Sequence, residues 1–182
     1  ADRVRPLFEQ IERDTVIESG PVQVLDKGAG EGPAWHPKLG LLFSGHGGIN
    51  RLDRDGKFHA HRPDAGTNGL LFDRKGRLIA CEPKLRRVTR TELDGTITVL
   101  TERYDGKRYN QPNDVTLDSK GRIYFSDPKY VGPEKMELPS MDVYRYDPDG
   151  TVTQVTSDIS KPNGVMLSPD GKTLYVAETD NG

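Results

Sequence analysis

Asn113-Asp-Val-Thr-Leu-Asp-Ser-Lys-Gly-Arg-Ile-Tyr-Phe-Ser126 carries three signals in one short stretch. An oxygen-bearing residue precedes an apolar run, a Gly turn follows, and a second apolar run closes the unit. The same order recurs in Glu31-Gly-Pro-Ala-Trp-His-Pro-Lys-Leu-Gly-Leu-Leu-Phe-Ser44, in Asn68-Gly-Leu-Leu-Phe-Asp-Arg-Lys-Gly-Arg-Leu-Ile-Ala-Cys81 and in Asn163-Gly-Val-Met-Leu-Ser-Pro-Asp-Gly-Lys-Thr-Leu-Tyr-Val176. Successive copies start 37, 45 and 50 residues apart, the length of one four-stranded propeller blade with loop insertions. Equivalent positions of a propeller converge on one axis. The repeat therefore predicts an all-β propeller of four-stranded antiparallel blades and, at its centre, a site lined by oxygen atoms.

Between the copies lie second hairpins, turned at Asp53-Arg-Asp-Gly56, Glu92-Leu-Asp-Gly95 and Asp147-Pro-Asp-Gly150, where Asp-Gly suits the positive φ of a tight turn. Strands beside these turns alternate polar and apolar residues, as in Thr151-Val-Thr-Gln-Val155, which fits outer strands wetted on one side. No segment has a long helical period. Residues 1–20 read as an N-terminal extension, with one short helical turn at Pro6-Leu-Phe-Glu-Gln-Ile-Glu12. Residues 21–182 read as a partial propeller holding blades one to three and the start of blade four, entered by a strand at Val22-Gln-Val-Leu25. A propeller hides each blade against its neighbours, so its ring must close. Three and a half blades predict a fragment whose missing blades come from the rest of the chain or from a second chain.

The 182 residues carry 26 Lys and Arg against 28 Asp and Glu, interspersed, for a net charge of −2. No basic stripe follows a phosphate backbone, which argues against nucleic acid as a partner. No apolar run approaches the roughly 18 residues of a membrane span. The single Cys81 falls on a predicted strand and reads as a buried, inert thiol. Composition leaves a cytoplasmic and a periplasmic or secreted location equally open.

The residues that open the repeats hold the chemistry. Glu31, Asn113 and Asn163 offer one carboxylate and two amide oxygens with no thiolate or imidazole, a set suited to a hard cation. Ca²⁺ fits its relaxed geometry best, and other divalent cations also fit. Asn68, at the same place in the second copy, reads either as a turn cap before its strand or as a substrate contact. Asp114 points away from Asn113 on an extended strand and reads as a loop brace or a support for a ligand. Asp127 is a candidate general base or a structural residue that starts a turn at Pro128. His46, in Ser44-Gly-His-Gly-Gly48, is a candidate substrate contact at the channel mouth. Trp35, Phe43, Phe72, Phe125 and Tyr175 are expected in the core. Two insertions, Thr101–Pro112 and Asp127–Asp142, are placed to line a binding face or to form plain surface loops. No Gly-x-Ser-x-Gly elbow or Ser/His/Asp set is present, which disfavours a serine or cysteine nucleophile.

Five segments resemble the gluconolactonase branch of the regucalcin (senescence marker protein) family. They are Gly30-Glu-Gly-Pro-Ala-Trp35, Arg86-Arg-Val-Thr-Arg90, Gly106-Lys-Arg-Tyr-Asn-Gln-Pro-Asn-Asp-Val115, Tyr124-Phe-Ser-Asp-Pro-Lys-Tyr130 and Pro162-Asn-Gly-Val-Met-Leu-Ser-Pro-Asp-Gly-Lys-Thr-Leu-Tyr-Val-Ala177. The resemblance implies a six-bladed propeller with one catalytic Ca²⁺ in its channel and the hydrolysis of lactones, including sugar-acid lactones. Similar propellers hydrolyse organophosphates, and a non-catalytic ligand-binding propeller is the remaining alternative. By position, the resemblance makes Glu31 and Asn163 metal ligands and Asn113 a ligand or a substrate contact. It places a further metal-binding aspartate, often assigned as base, in the next blade, beyond Gly182. The chain departs from the pattern at Gln111, where regucalcin-like members carry Arg, and at Ser44-Gly-His46, where many relatives read Ser-Asp.

Overall fold

The inner hairpins pair in the register that the repeat predicts. In a computed structural model describing residues 30–130 and 132–179, Glu31 stands opposite Ser44, Leu70 opposite Ala80, Val115 opposite Phe125 and Val165 opposite Val176. The helical turn expected at Pro6–Glu12 and the strand expected at Val22–Leu25 lie outside the described residues.

Three four-stranded antiparallel sheets follow one another, each with its strands in chain order. The first comprises β1 (Glu31–His36), β2 (Gly40–Gly45), β3 (Gly48–Leu52) and β4 (Phe58–Arg62). The second comprises β5 (Leu70–Phe72), β6 (Leu78–Glu82), β7 (Arg87–Thr91) and β8 (Ile97–Thr101). A short hairpin, β9 (Arg103–Tyr104) with β10 (Lys107–Arg108), occupies the first insertion. The third sheet comprises β11 (Val115–Leu117), β12 (Ile123–Ser126), β13 (Val143–Tyr146) and β14 (Val152–Thr156). The hairpin β15 (Pro162–Leu167) with β16 (Leu174–Glu178) stands in the place of the inner half of a fourth blade. The innermost strands β1, β5, β11 and β15 adjoin in that order around the axis. These are propeller blades, and among the described residues every regular element is a strand.

The outer turns form as their Asp-Gly signals require. The Gly56, Gly95 and Gly150 amides donate to the Asp53, Glu92 and Asp147 carbonyls at 2.9–3.1 Å, with φ between 76° and 90° at each glycine. In the inner turns, the Asp73 and Asp118 carboxylates accept the amides two and four residues further on, which fixes the loop without a partner blade.

Apolar burial lies at the seams between blades. Ala34, Leu42 and Ile49 of the first blade meet Leu70, Leu78 and Ala80 of the second. Ile79, Cys81 and Val88 of the second meet Val115, Phe125 and Tyr144 of the third, joined by Tyr109 from the first insertion. Tyr109 and Phe125 pack edge to face with ring centroids 5.1 Å apart. Phe43 and Phe125 are buried as expected, but Trp35 is 61% exposed and Tyr175 55%. The alternation of a strand explains both: Trp35 takes the face opposite the buried Ala34, and Tyr175 pairs with exposed Met166 on the face opposite the buried Val165.

A recurrent latch ties successive blades near the axis. The last residue of each of the first three repeat units donates from its side chain to the backbone where the next unit opens. Ser44 Oγ reaches the Asn68 carbonyl at 2.6 Å, Ser126 Oγ reaches the Asn163 carbonyl at 2.5 Å, and Cys81 Sγ reaches the Asp114 carbonyl at 3.6 Å. Cys81 is thus a latch as well as a core residue. Burial, with the Asp114, Asp127 and Glu82 carboxylates nearby, holds its thiol well above its usual pKa and so unreactive. Gly69 follows the second opener because the backbone leaves no room for more. A Cβ there would stand 2.7 Å from both the Asn113 carbonyl oxygen and the Asp114 Cα.

Candidate functional site

The four residues that open the repeats line one cleft of about 590 Å³. Its floor is built from the entries to the inner strands: Glu31, Gly66 and Asn68, then Asn110, Gln111 and Asn113, and Asn163. Its walls come from the turn between β6 and β7, through Pro83, Lys84 and Arg86, and from the second insertion, through Lys129, Tyr130, Gly132 and Glu134. Both insertions contribute residues to the cleft.

The second and third openers are fixed by their backbones. The Asn68 amide donates to the Cys81 carbonyl at 3.0 Å and the Asn113 amide to the Ser126 carbonyl at 2.9 Å. The Asn113 carbonyl in turn accepts the Gly69 amide at 2.6 Å. Asn113 is 5% exposed, and its Oδ1 is buried with no hydrogen-bond partner among the described residues. Such an acceptor costs roughly 1–3 kcal/mol unless something comes to meet it. Asn163 Nδ2 donates to the Tyr130 hydroxyl at 2.8 Å. Glu31 is exposed at the start of β1. Asp114 supports this set from below: its Oδ2 accepts the Val165 amide at 2.8 Å, so it braces the third blade against the fourth hairpin.

Two other candidates lie elsewhere. His46 is exposed in the turn between β2 and β3 at φ 49°, and it is not among the cleft residues. Asp127 is fully buried and does not line the cleft. Its Oδ2 accepts the Asn110 amide at 2.7 Å, while Asn110 Nδ2 spans the Asp127 and Ser140 carbonyls at 3.2 and 3.0 Å. Burial pushes the Asp127 carboxyl up to about 8, assisted by the Asp142 carboxylate and opposed by the Asn110 and Gln111 amides and by Arg86. A carboxyl that keeps its proton at neutral pH and touches backbone fits the structural of its two roles. It holds the Asn110–Gln111 segment in place beneath the cleft.

Three cationic residues, Lys84, Arg86 and Lys129, also line the cleft, and a search for repeats does not find them. Arg86 is anchored by its Nε on the Tyr109 carbonyl at 2.5 Å and by its Nη1 on Glu137 at 3.3 Å. Lys129 Nζ stands 3.6 Å from Glu134. Lys84 is exposed and has no ion pair among the described residues. Two signals bear on them: each lies in a loop on the face where the repeats open, and Arg86 and Lys129 fall in segments that carry the family resemblance. Among the described residues no group of three or more His, Cys, Asp or Glu is arranged to hold a metal.

Residues 29–182 match the family described as SMP-30/Gluconolactonase/LRE-like region. The chain belongs to this family. A gluconolactonase of Zymomonas mobilis is 29% identical over 153 residues, covering 80% of this chain and 42% of that protein. A pentonolactonase of Haloferax volcanii is 28% identical over 165 residues, covering 83% and 50%. The solved structure of a gluconolactonase from Xanthomonas campestris is 35% identical with a TM-score of 0.79, over 85% of this chain and 56% of that one. The chain thus spans about half the length of the relatives it matches.

Proposed function

We propose that the protein containing this chain hydrolyses a lactone, sugar-acid lactones included, and that Glu31, Asn113 and Asn163 hold a divalent cation, Ca²⁺, in the cleft. The unpartnered Asn113 Oδ1 carries the cation reading. A buried amide oxygen beside Asn163 and Glu31, in a cleft without thiolate or imidazole, matches what a hard cation takes. Membership of a family whose named relatives are lactonases supports the reaction class. When bound, such a cation supplies positive charge against a carbonyl oxygen. Asn68 offers an amide to substrate hydroxyls from the floor, and Lys84 and Lys129 present ammonium groups along one wall. Buried Asp127 fixes the backbone of Asn110, from which Gln111 and Asn113 extend into the cleft.

The test is ring opening by the full protein on a panel of five- and six-membered sugar lactones, before and after chelation. Turnover that is lost to chelator and restored by Ca²⁺ is expected, with no equivalent rate on organophosphates. In Glu31→Gln, Ca²⁺ affinity and kcat/KM should fall together by more than the roughly tenfold typical of an outer partner. Turnover indifferent to chelation removes the cation. Saturable sugar binding without ring opening makes the protein a binding propeller instead.

A further inference from the structure

Asn163 can help a cation or a carbonyl-polarising site only if its oxygen, not its nitrogen, faces the cleft. An amide side chain has no intrinsic preference between these two orientations; its partners decide. Here the nitrogen is taken. Asn163 Nδ2 donates to the Tyr130 hydroxyl at 2.8 Å, the hydroxyl pairs with Thr179 Oγ1 at 2.9 Å, and Thr179 Oγ1 donates to the Lys161 carbonyl at 3.5 Å. The Tyr130 hydroxyl can accept from Asn163 Nδ2 while donating its own proton to Thr179 Oγ1, so the two contacts are compatible with each other. Tyr130 is itself placed by its backbone amide, which donates to Gln111 Oε1 at 2.7 Å, and its ring lies 5.0 Å from Lys161 Nζ. Asn163 Oδ1 is then the atom left for the cleft.

We propose that Tyr130 is a positioning residue whose hydroxyl holds the Asn163 amide with its oxygen towards the cleft. The inference deepens the cation reading, but the amide's orientation stands without it. The second insertion thus acts at a distance from the reacting atoms, by choosing which atom of a neighbouring side chain is presented.

The test uses Tyr130→Phe in the full protein, which keeps the ring and removes only the hydroxyl. In the metal-free protein, the Asn163 side-chain amide resonances, assigned by their loss in Asn163→Asp, should move upfield and exchange faster in Tyr130→Phe. Ca²⁺ affinity read by calorimetry should fall about tenfold, as for loss of an outer partner. Asp at 163 presents an oxygen in either orientation, so adding Tyr130→Phe to Asn163→Asp should not weaken Ca²⁺ further. Equal losses in both backgrounds overturn the proposal, because they mark general packing. Unmoved amide resonances in Tyr130→Phe overturn it as well. If the parent protein binds no Ca²⁺, the cation reading fails, and the amide resonances alone decide the role of Tyr130.

Discussion

Glu82 and Asp127 stand at the same place in successive blades, each one residue beyond its repeat unit, and both are fully buried. Their surroundings differ. Glu82 is gripped by Arg62 from the outer strand of the first blade, by Arg87 Nε at 2.6 Å and by Thr89 Oγ1 at 2.8 Å. Asp127 has no ion pair among the described residues; it accepts a backbone amide and feels Arg86 and Asp142 only through space. One carboxylate meets the cost of burial with counter-charges, the other by keeping its proton. The first joins two blades, while the second lies under the cleft and holds its floor. An acidic residue at a repeat-equivalent position therefore has no fixed role; the loop that reaches it decides.

The comparison breaks most sharply at Glu82. Replacing it by Gln leaves Arg62 and Arg87 without their anion, and urea unfolding of the full protein at pH 7 should show a loss of about 3 kcal/mol. A loss below about 1 kcal/mol would mean that solvent already satisfies the two arginines. Asp127→Asn tests the other half through pH. A folded-state value near 8 exceeds the unfolded value of about 3.9, so the native state holds a proton that the unfolded chain releases. Stability should therefore decline as pH rises from about 4 to about 8 and level off above that. Asn mimics the protonated acid, so the variant should lose this slope and, at pH 9, exceed the parent by on the order of 2 kcal/mol. Parallel melting curves between pH 5 and 9 would show that Asp127 ionises without penalty.

The neighbouring latches sharpen the contrast at a smaller scale. Ser126→Ala strips the Asn163 carbonyl of its donor and should cost about 1 kcal/mol in the same unfolding assay. Cys81→Ser exchanges a weak, long S–H bond for a hydroxyl in a close-packed seam, and should change stability by only about 0.5 kcal/mol in either direction. If the two substitutions cost the same, the sulfur latch is as strong as the oxygen one.

The blades were legible because strand pairing is local. Within each unit a Gly turn fixes the register, and Glu31, Asn68, Asn113 and Asn163 recur at that register, so their convergence on one cleft follows from symmetry alone. The small hairpin β9–β10 was not legible, since two-residue strands carry no period. Nor was the burial of Asp127, which depends on Asn110, Ser140 and Asp142 arriving from two insertions of unrelated length. Lys84, Arg86 and Tyr130 share that difficulty, because contacts between a turn of one blade and a loop of the next leave no spacing rule to read. Apolarity alone places Trp35 and Tyr175 in the core, whereas alternation about Ala34 and Val165 sets their exposure.

The latches have a consequence for how such a cleft changes over time. Each blade is hitched to the next through a backbone carbonyl, that of Asn68, Asp114 or Asn163, an atom every amino acid possesses. Mutation can thus rewrite the groups that meet a ligand while the mechanical fastening behind them stays the same. Architecture and reactivity are inherited here as separate traits, and new specificities can be sampled without first loosening the ring.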